Sequence, residues 1–309
     1  MIDRKNRYGR TAARIHDADG LARRPSSPTI DIHAHIVIPQ AAALTQPHVD
    51  ISRIPLAYFA DDVSKDINAQ QEKDVREVMT TIDRRLRDLD RMGIDIQVVA
   101  PAPNQCYYSI EPKIAEAAHR LANDGVAEYC ARKPDRFVGL GVVTLQEPEL
   151  AVRDLGYVMD TLKLKGAEIL TNVDGQELSD PKFRPFFAKA EELGAFIMMH
   201  PNGFTHGQRL THYYFNNVLG NPLDTTLALH NLIFSGTLAR FPELKLMAVH
   251  GGGYLPSYSG RIDHAWGARR DSHAGLPLPP TTYLRQVYFD TVVFTYHRKR
   301  LAATLLMLA

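Results

Sequence analysis

Residues 29–40 read Thr29-Ile30-Asp31-Ile32-His33-Ala34-His35-Ile36-Val37-Ile38-Pro39-Gln40. The first eight form a β-branched run of strand character, and no glycine-rich turn follows them. A doubly wound sheet holds its ligand at a switch point and usually carries such a turn after its first strand. Here HIVIPQ stands in its place, so the run reads as the opening strand of a barrel. Six more runs of this kind follow: DIQVVAP (95–101), FVGLGVV (137–143), GAEIL (166–170), AFIMMHP (195–201), LKLMAVH (244–250) and VYFDTVV (287–293). Segments of helical period lie between them at 78–91, 114–133, 147–162, 181–193 and 224–240, several closed by Gly or Pro. Alternation at this spacing implies parallel strands with crossover helices covering them. The expected fold class is α/β, a (β/α)8 TIM-type barrel. Residues 39–74 have neither period and are expected as a long irregular loop over the C-terminal mouth, where function collects.

The remainder of the chain bounds the partners. Of 309 residues, 45% are hydrophobic and 23% charged, and Lys+Arg 36 against Asp+Glu 35 leaves a formal charge of +1. That balance gives no reason to expect nucleic acid or an acidic membrane surface as a partner. Cys106 and Cys130 stand alone, which suits free thiols in a reducing compartment and a cytoplasmic location. No apolar run approaches the roughly 20 residues that span a bilayer. Residues 1–28 are arginine-rich, lack the apolar centre of a secretory signal and end in RRPSSP. They read as a poorly ordered basic extension ahead of one barrel domain, 29–309.

The chemistry is concentrated in histidines. With a strand period of two, His33 and His35 project from one face and can converge on a single cation. His200 closes the apolar run 195–199, and His250 closes 244–249 just before Gly251, Gly252 and Gly253. Taken singly, each has a plainer reading as a packed or hydrogen-bonded histidine. Four of them at the same ends of three strands point to one shared site on the face where barrel enzymes work.

DIHAHI, the strand ending in MMHP, FPELKLMAVHGGG, the following GRID and RFVGLGVVTLQEPELAVRDL together resemble the amidohydrolase-related proteins of the aminocarboxymuconate-semialdehyde decarboxylase type. The resemblance runs from about residue 29 to the end. It implies a metal-dependent barrel that removes carbon dioxide from small unsaturated or aromatic carboxylic acids. It also implies His33, His35 and His200 as ligands of a divalent ion, Zn2+ first and Mn2+ second. His250 would be the general acid/base, and Arg261 a guanidinium for the substrate carboxylate, lent across the interface in related homodimers. Lys73, Arg76 and His212 are weaker candidates from flanking loops.

The sequence departs from the family pattern in one respect. The G-[ST]-D-Y-P segment that carries the eighth-strand aspartate ligand does not occur, and RLAATLLMLA reads as the helix after the seventh strand. The barrel is therefore expected to lack its last strand. Asp290 is left as the carboxylate at a strand end, either behind a ligand or as a substitute ligand about 2.0–2.2 Å from the ion. Three functions follow: the carboxy-lyase, a hydrolase or hydratase using the same ion and water, and a truncated relative without catalysis.

Overall fold

The computed structural model describes residues 27–273 and 275–293. The basic extension, apart from its last two residues, and the segment RLAATLLMLA lie outside the described residues.

All seven expected strands form. They are β1 (Ile30–Ile36), β2 (Ile96–Pro101), β3 (Phe137–Gly139) continuing as β4 (Gly141–Val142), β5 (Gly166–Leu170), β8 (Phe196–His200), β9 (Lys245–Ala248) and β10 (Val287–Phe289). A small antiparallel hairpin, β6 (Asn172–Val173) and β7 (Gln176–Glu177), follows β5. The ladders are parallel and run β1-β2-β3 and β4-β5-β8-β9-β10. At Leu140 the ladder changes hands, and its N–H still donates to the Val99 carbonyl at 2.9 Å. The two sheets are thus one curved run of seven strands. Its first and last members share no ladder among the described residues, yet they approach at the mouth, where His33 meets Asp290.

Alternation along the strands sorts the core into two layers. Val98, Ala100, Leu140, Met198, Met247 and Val249 fill the interior of the curl together with Ile32 and Val138. Their sequence neighbours Val99, Ile197, Met199, Leu246 and Ala248 face the helices. Burying a side chain of this size contributes about 1.5–3 kcal/mol. The covering helices include α1 (Pro39–Thr45), α2 (Pro55–Tyr58), α3 (Asp62–Thr80), α4 (Ile82–Met92), α5 (Pro112–Ala131), α6 (Pro148–Gly156), α7 (Arg184–Glu192), α8 (Asn221–Phe234), α9 (Thr237–Arg240) and α10 (Leu255–Ala268).

Three expectations need correction. Residues 39–74 are largely helical rather than irregular. Pro39 and Pro55 start α1 and α2, and the Asp61 carboxylate caps α3 by accepting from the Ser64 N–H at 2.8 Å. The only fully buried residue of α3 is Ser64, so it has no apolar stripe to reveal its period. The helix expected at 78–91 is broken at Thr81, whose extended backbone separates α3 from α4. The strand expected at 244–250 ends at Ala248, and His250 stands beyond it in a left-handed turn.

Candidate active site

The register of β1 against β2 skips one residue between Asp31 and Ala34. This bulge resets the alternation, so Ile32 packs into the interior while His33 and His35 also turn inward at the mouth. His200 arrives from the last residue of β8. His250 has φ 56 and is followed by three glycines that all have positive φ. A Cβ on Gly253 would lie 2.2 Å from the Pro222 carbonyl oxygen, so the turn requires glycine there. A histidine held in the left-handed region beside functional groups is backbone strain stored at a site.

The four rings meet. Ring centres of His33, His35 and His200 lie 5.0–5.1 Å apart, and His250 stands 5.0 Å from His200 and 5.6 Å from His33. One ligand atom from each of His33, His35 and His200 lies within 4.8 Å of the others. Their Nδ1 atoms face outward to acceptors. His33 Nδ1 donates to Asp290 Oδ2 at 2.6 Å, His200 Nδ1 donates to the Pro201 carbonyl at 2.6 Å, and His35 Nδ1 faces Glu168 Oε2 at 3.3 Å. With protons on Nδ1, the Nε2 lone pairs of His33 and His35 confront each other at 3.1 Å. Two lone pairs so placed repel unless a cation lies between them, and imidazole nitrogens are suited to zinc and other divalent metals. The donor set therefore fits a divalent ion.

Charge at the site follows burial. Burial first, then the neighbouring His35, His33 and His250 rings, pushes His200 well below the ordinary imidazole range. Burial and the His33 ring take His250 down from the ordinary imidazole value of 6.5 to about 4. Burial alone would raise the Asp290 carboxyl, but His33 and the backbone N–H groups of Gly251 and His250 outweigh it and hold the group below its usual value. Its Oδ1 accepts from Gly251 N–H at 2.8 Å and Val292 N–H at 3.2 Å.

Beside the histidines lies a cavity of about 200 Å³. Thr171, on its wall, donates its N–H to the His200 carbonyl at 3.1 Å, so the two regions share backbone. Tyr58, Phe59, Tyr107 and Tyr108 supply aromatic wall, and Arg53 is its cation. The Arg53 guanidinium pairs with Asp174 and donates to the Ser109 carbonyl at 2.7 Å. The histidines themselves do not line this cavity.

Arg261 does not join the cluster. It is exposed on α10, and no ion pair of its own occurs among the described residues. Lys73 and Arg76 lie on the polar helix α3, and His212 pairs with Asp61 at 3.1 Å on the surface. Sequence reasoning missed Arg85 and Glu168. Buried Arg85 donates to the His35 carbonyl at 2.6 Å and to Gln97 at 2.9 Å, tying α4 to β1. Glu168 is wholly buried in β5, and its signal was a lone carboxylate inside the apolar run GAEIL.

The amidohydrolase family model matches residues 30–305. The chain belongs to the amidohydrolase family. It is 35% identical over 212 residues to the 2-amino-3-carboxymuconate-6-semialdehyde decarboxylase of Dictyostelium discoideum, a match covering 68% of this chain. The match spans 59% of that relative's length. A gamma-resorcylate decarboxylase of Rhizobium radiobacter is 30% identical over 230 residues, covering 70% of this chain and 67% of that protein. Among solved structures, the 5-carboxyvanillate decarboxylase of Novosphingobium aromaticivorans superposes with a TM-score of 0.80 at 21% identity, covering 92% of this chain and 83% of that one. That structure holds manganese and 4-hydroxy-3-methoxy-5-nitrobenzoic acid. The likeness establishes a fold of the amidohydrolase barrel type.

Proposed function

We propose that the protein is a metal-dependent carboxy-lyase that removes carbon dioxide from a small aromatic or unsaturated carboxylic acid. The observation that carries this reading is the convergence of His33, His35, His200 and His250 at one mouth of the barrel. Relatives that are decarboxylases support the lyase over the hydrolase or hydratase.

His33, His35 and His200 would hold the ion through Nε2, because their Nδ1 atoms face acceptors. Zinc suits three imidazoles, and manganese is the ion held by the Novosphingobium relative. When bound, the ion supplies a positive centre for the charge that develops on the substrate. Asp290 stays behind His33, fixing its ring, since its oxygens are committed to His33 and to two backbone N–H groups.

His250 is neutral at pH 7 and its Nδ1 has no hydrogen-bond partner among the described residues. It takes a proton from solvent or a substrate hydroxyl and delivers it to the carbon that keeps the electron pair as carbon dioxide leaves. The neighbouring cavity accepts the ring of the acid between aromatic walls, with Arg53 as a guanidinium within the protomer. Arg261 serves a second copy of the chain. It lies exposed three residues from exposed Tyr258 on α10, and Tyr254, just ahead of that helix, donates to the Leu219 carbonyl at 3.3 Å. Free Cys106 and Cys130 suit a reducing compartment, and we place the protein in the cytoplasm.

The test is to load the protein with manganese or zinc and offer hydroxybenzoates and dienoic acids while measuring carbon dioxide. Release by the wild type, and none by His250→Ala that still retains metal, is expected. Incorporation of labelled solvent oxygen into product without carbon dioxide would replace the lyase by a hydrolase or hydratase. Equal metal loss in His33→Ala, His200→Ala and His250→Ala would refute the division of roles.

A further inference from the structure

We propose that Glu168 is a positioning residue of this centre: its carboxylate holds His35 from the Nδ1 side and balances the charge of the ion beyond. The proposal rests on the reading of His33, His35 and His200 as ligands. Glu168 sits in β5 between Ala167 and Ile169, which face the helices. Its own side chain therefore points into the barrel, in register with Met198 of β8, which pairs in turn with Met247 of β9. A carboxylate in that apolar layer is costly unless something positive or a donor answers it.

No ordinary hydrogen bond answers it. Among the described residues both Glu168 oxygens lack a hydrogen-bond partner, and so does His35 Nδ1, although the two groups stand only 3.3 Å apart. Buried Arg85 is directed elsewhere, to the His35 and Val78 carbonyls and to Gln97. Among the described residues no lysine or arginine pairs with Glu168. His33 provides the contrast, because Asp290 behind it is saturated by three donors. Glu168 has no such commitments, and one imidazole stands between it and the metal position. Pairs of this kind, carboxylate to histidine to metal, fix the ring and strengthen the ligand.

Manganese(II) titration followed by electron paramagnetic resonance of the free ion tests the proposal. Glu168→Gln keeps the shape and removes the charge, and it should weaken manganese binding about 10- to 100-fold. Glu168→Asp should recover part of that loss. Failure of the wild type to bind removes the ligand reading and this proposal with it. Wild-type binding with Glu168→Gln unchanged overturns the proposal alone. Should Glu168→Gln not fold, wild-type protein with ¹⁵N-histidine and ¹¹³Cd decides. Cadmium coupling at His35 Nε2 with the proton on Nδ1 supports the role, and coupling at Nδ1 overturns it.

Discussion

The two halves of the barrel mouth are built by different means. On one side, β1, β8 and the turn after β9 present histidines from strand ends whose backbones are locked by a bulge, a parallel ladder and a run of glycines. On the other, residues 49–59, 103–110 and 170–175 enclose the cavity with loops and short helices, held by side chains such as the Arg53 to Asp174 ion pair. The difference teaches where variation is tolerated. Groups that must meet within a few tenths of an ångström come from the sheet, whereas the cavity wall comes from segments that can change without disturbing it.

The sharpest way to break this contrast is to substitute one residue from each half. His33→Ala or His200→Ala should abolish metal retention and lower kcat by at least about a thousandfold, measured as metal content and turnover. Arg53→Ala should leave the metal in place and raise KM roughly 10- to 100-fold for carboxylate substrates. Comparable metal loss in both would erase the distinction. Gly253→Ala strikes the rigid half through its backbone. The positive φ of 67 and the 2.2 Å approach to the Pro222 oxygen should cost roughly 3 kcal/mol, read from denaturant unfolding.

Acid tests a buried ring away from the mouth. His119 is wholly buried between Thr144 and the Cys106 carbonyl, and burial takes it down to about 4. Its unfolded form binds protons already near pH 6.5, so the stability it contributes is present above that value and is lost as pH falls toward 4. A shift of this size corresponds to something on the order of 3 kcal/mol. Asp224, which burial raises to about 6, acts with the opposite sign: acidification from 6 toward 3.8 favours the folded chain. His200 and His250 add to the His119 side, so acid should destabilise the metal-free protein. In His119→Gln the loss between pH 6.5 and 4 should be visibly shallower, and an unchanged slope would refute this assignment.

How much of this was legible in the sequence depended on which force set each feature. The strands were plain because apolar runs ended by turns or histidines announce themselves locally. The histidines declared a site because four of them fell at the same ends of those runs. The bulge in β1 was hidden, since it is a property of pairing with β2 and not of either segment alone. Helix α3 was hidden for the opposite reason: a polar helix that buries so little shows no stripe. Arg85 looked like one arginine among several in IDRRLRDLD, and only packing shows it beneath His35. The lowered titration of His250 was not legible, because residue type gives the ordinary value while burial decides the actual one.

The bond from His33 to Asp290 joins residues 257 positions apart. A nascent chain leaving the ribosome can finish β1, β2 and their helices early, but this link waits until nearly the whole described polypeptide has emerged. The orientation of the His33 ring is therefore fixed late, once β10 has joined the sheet and brought Asp290 to it.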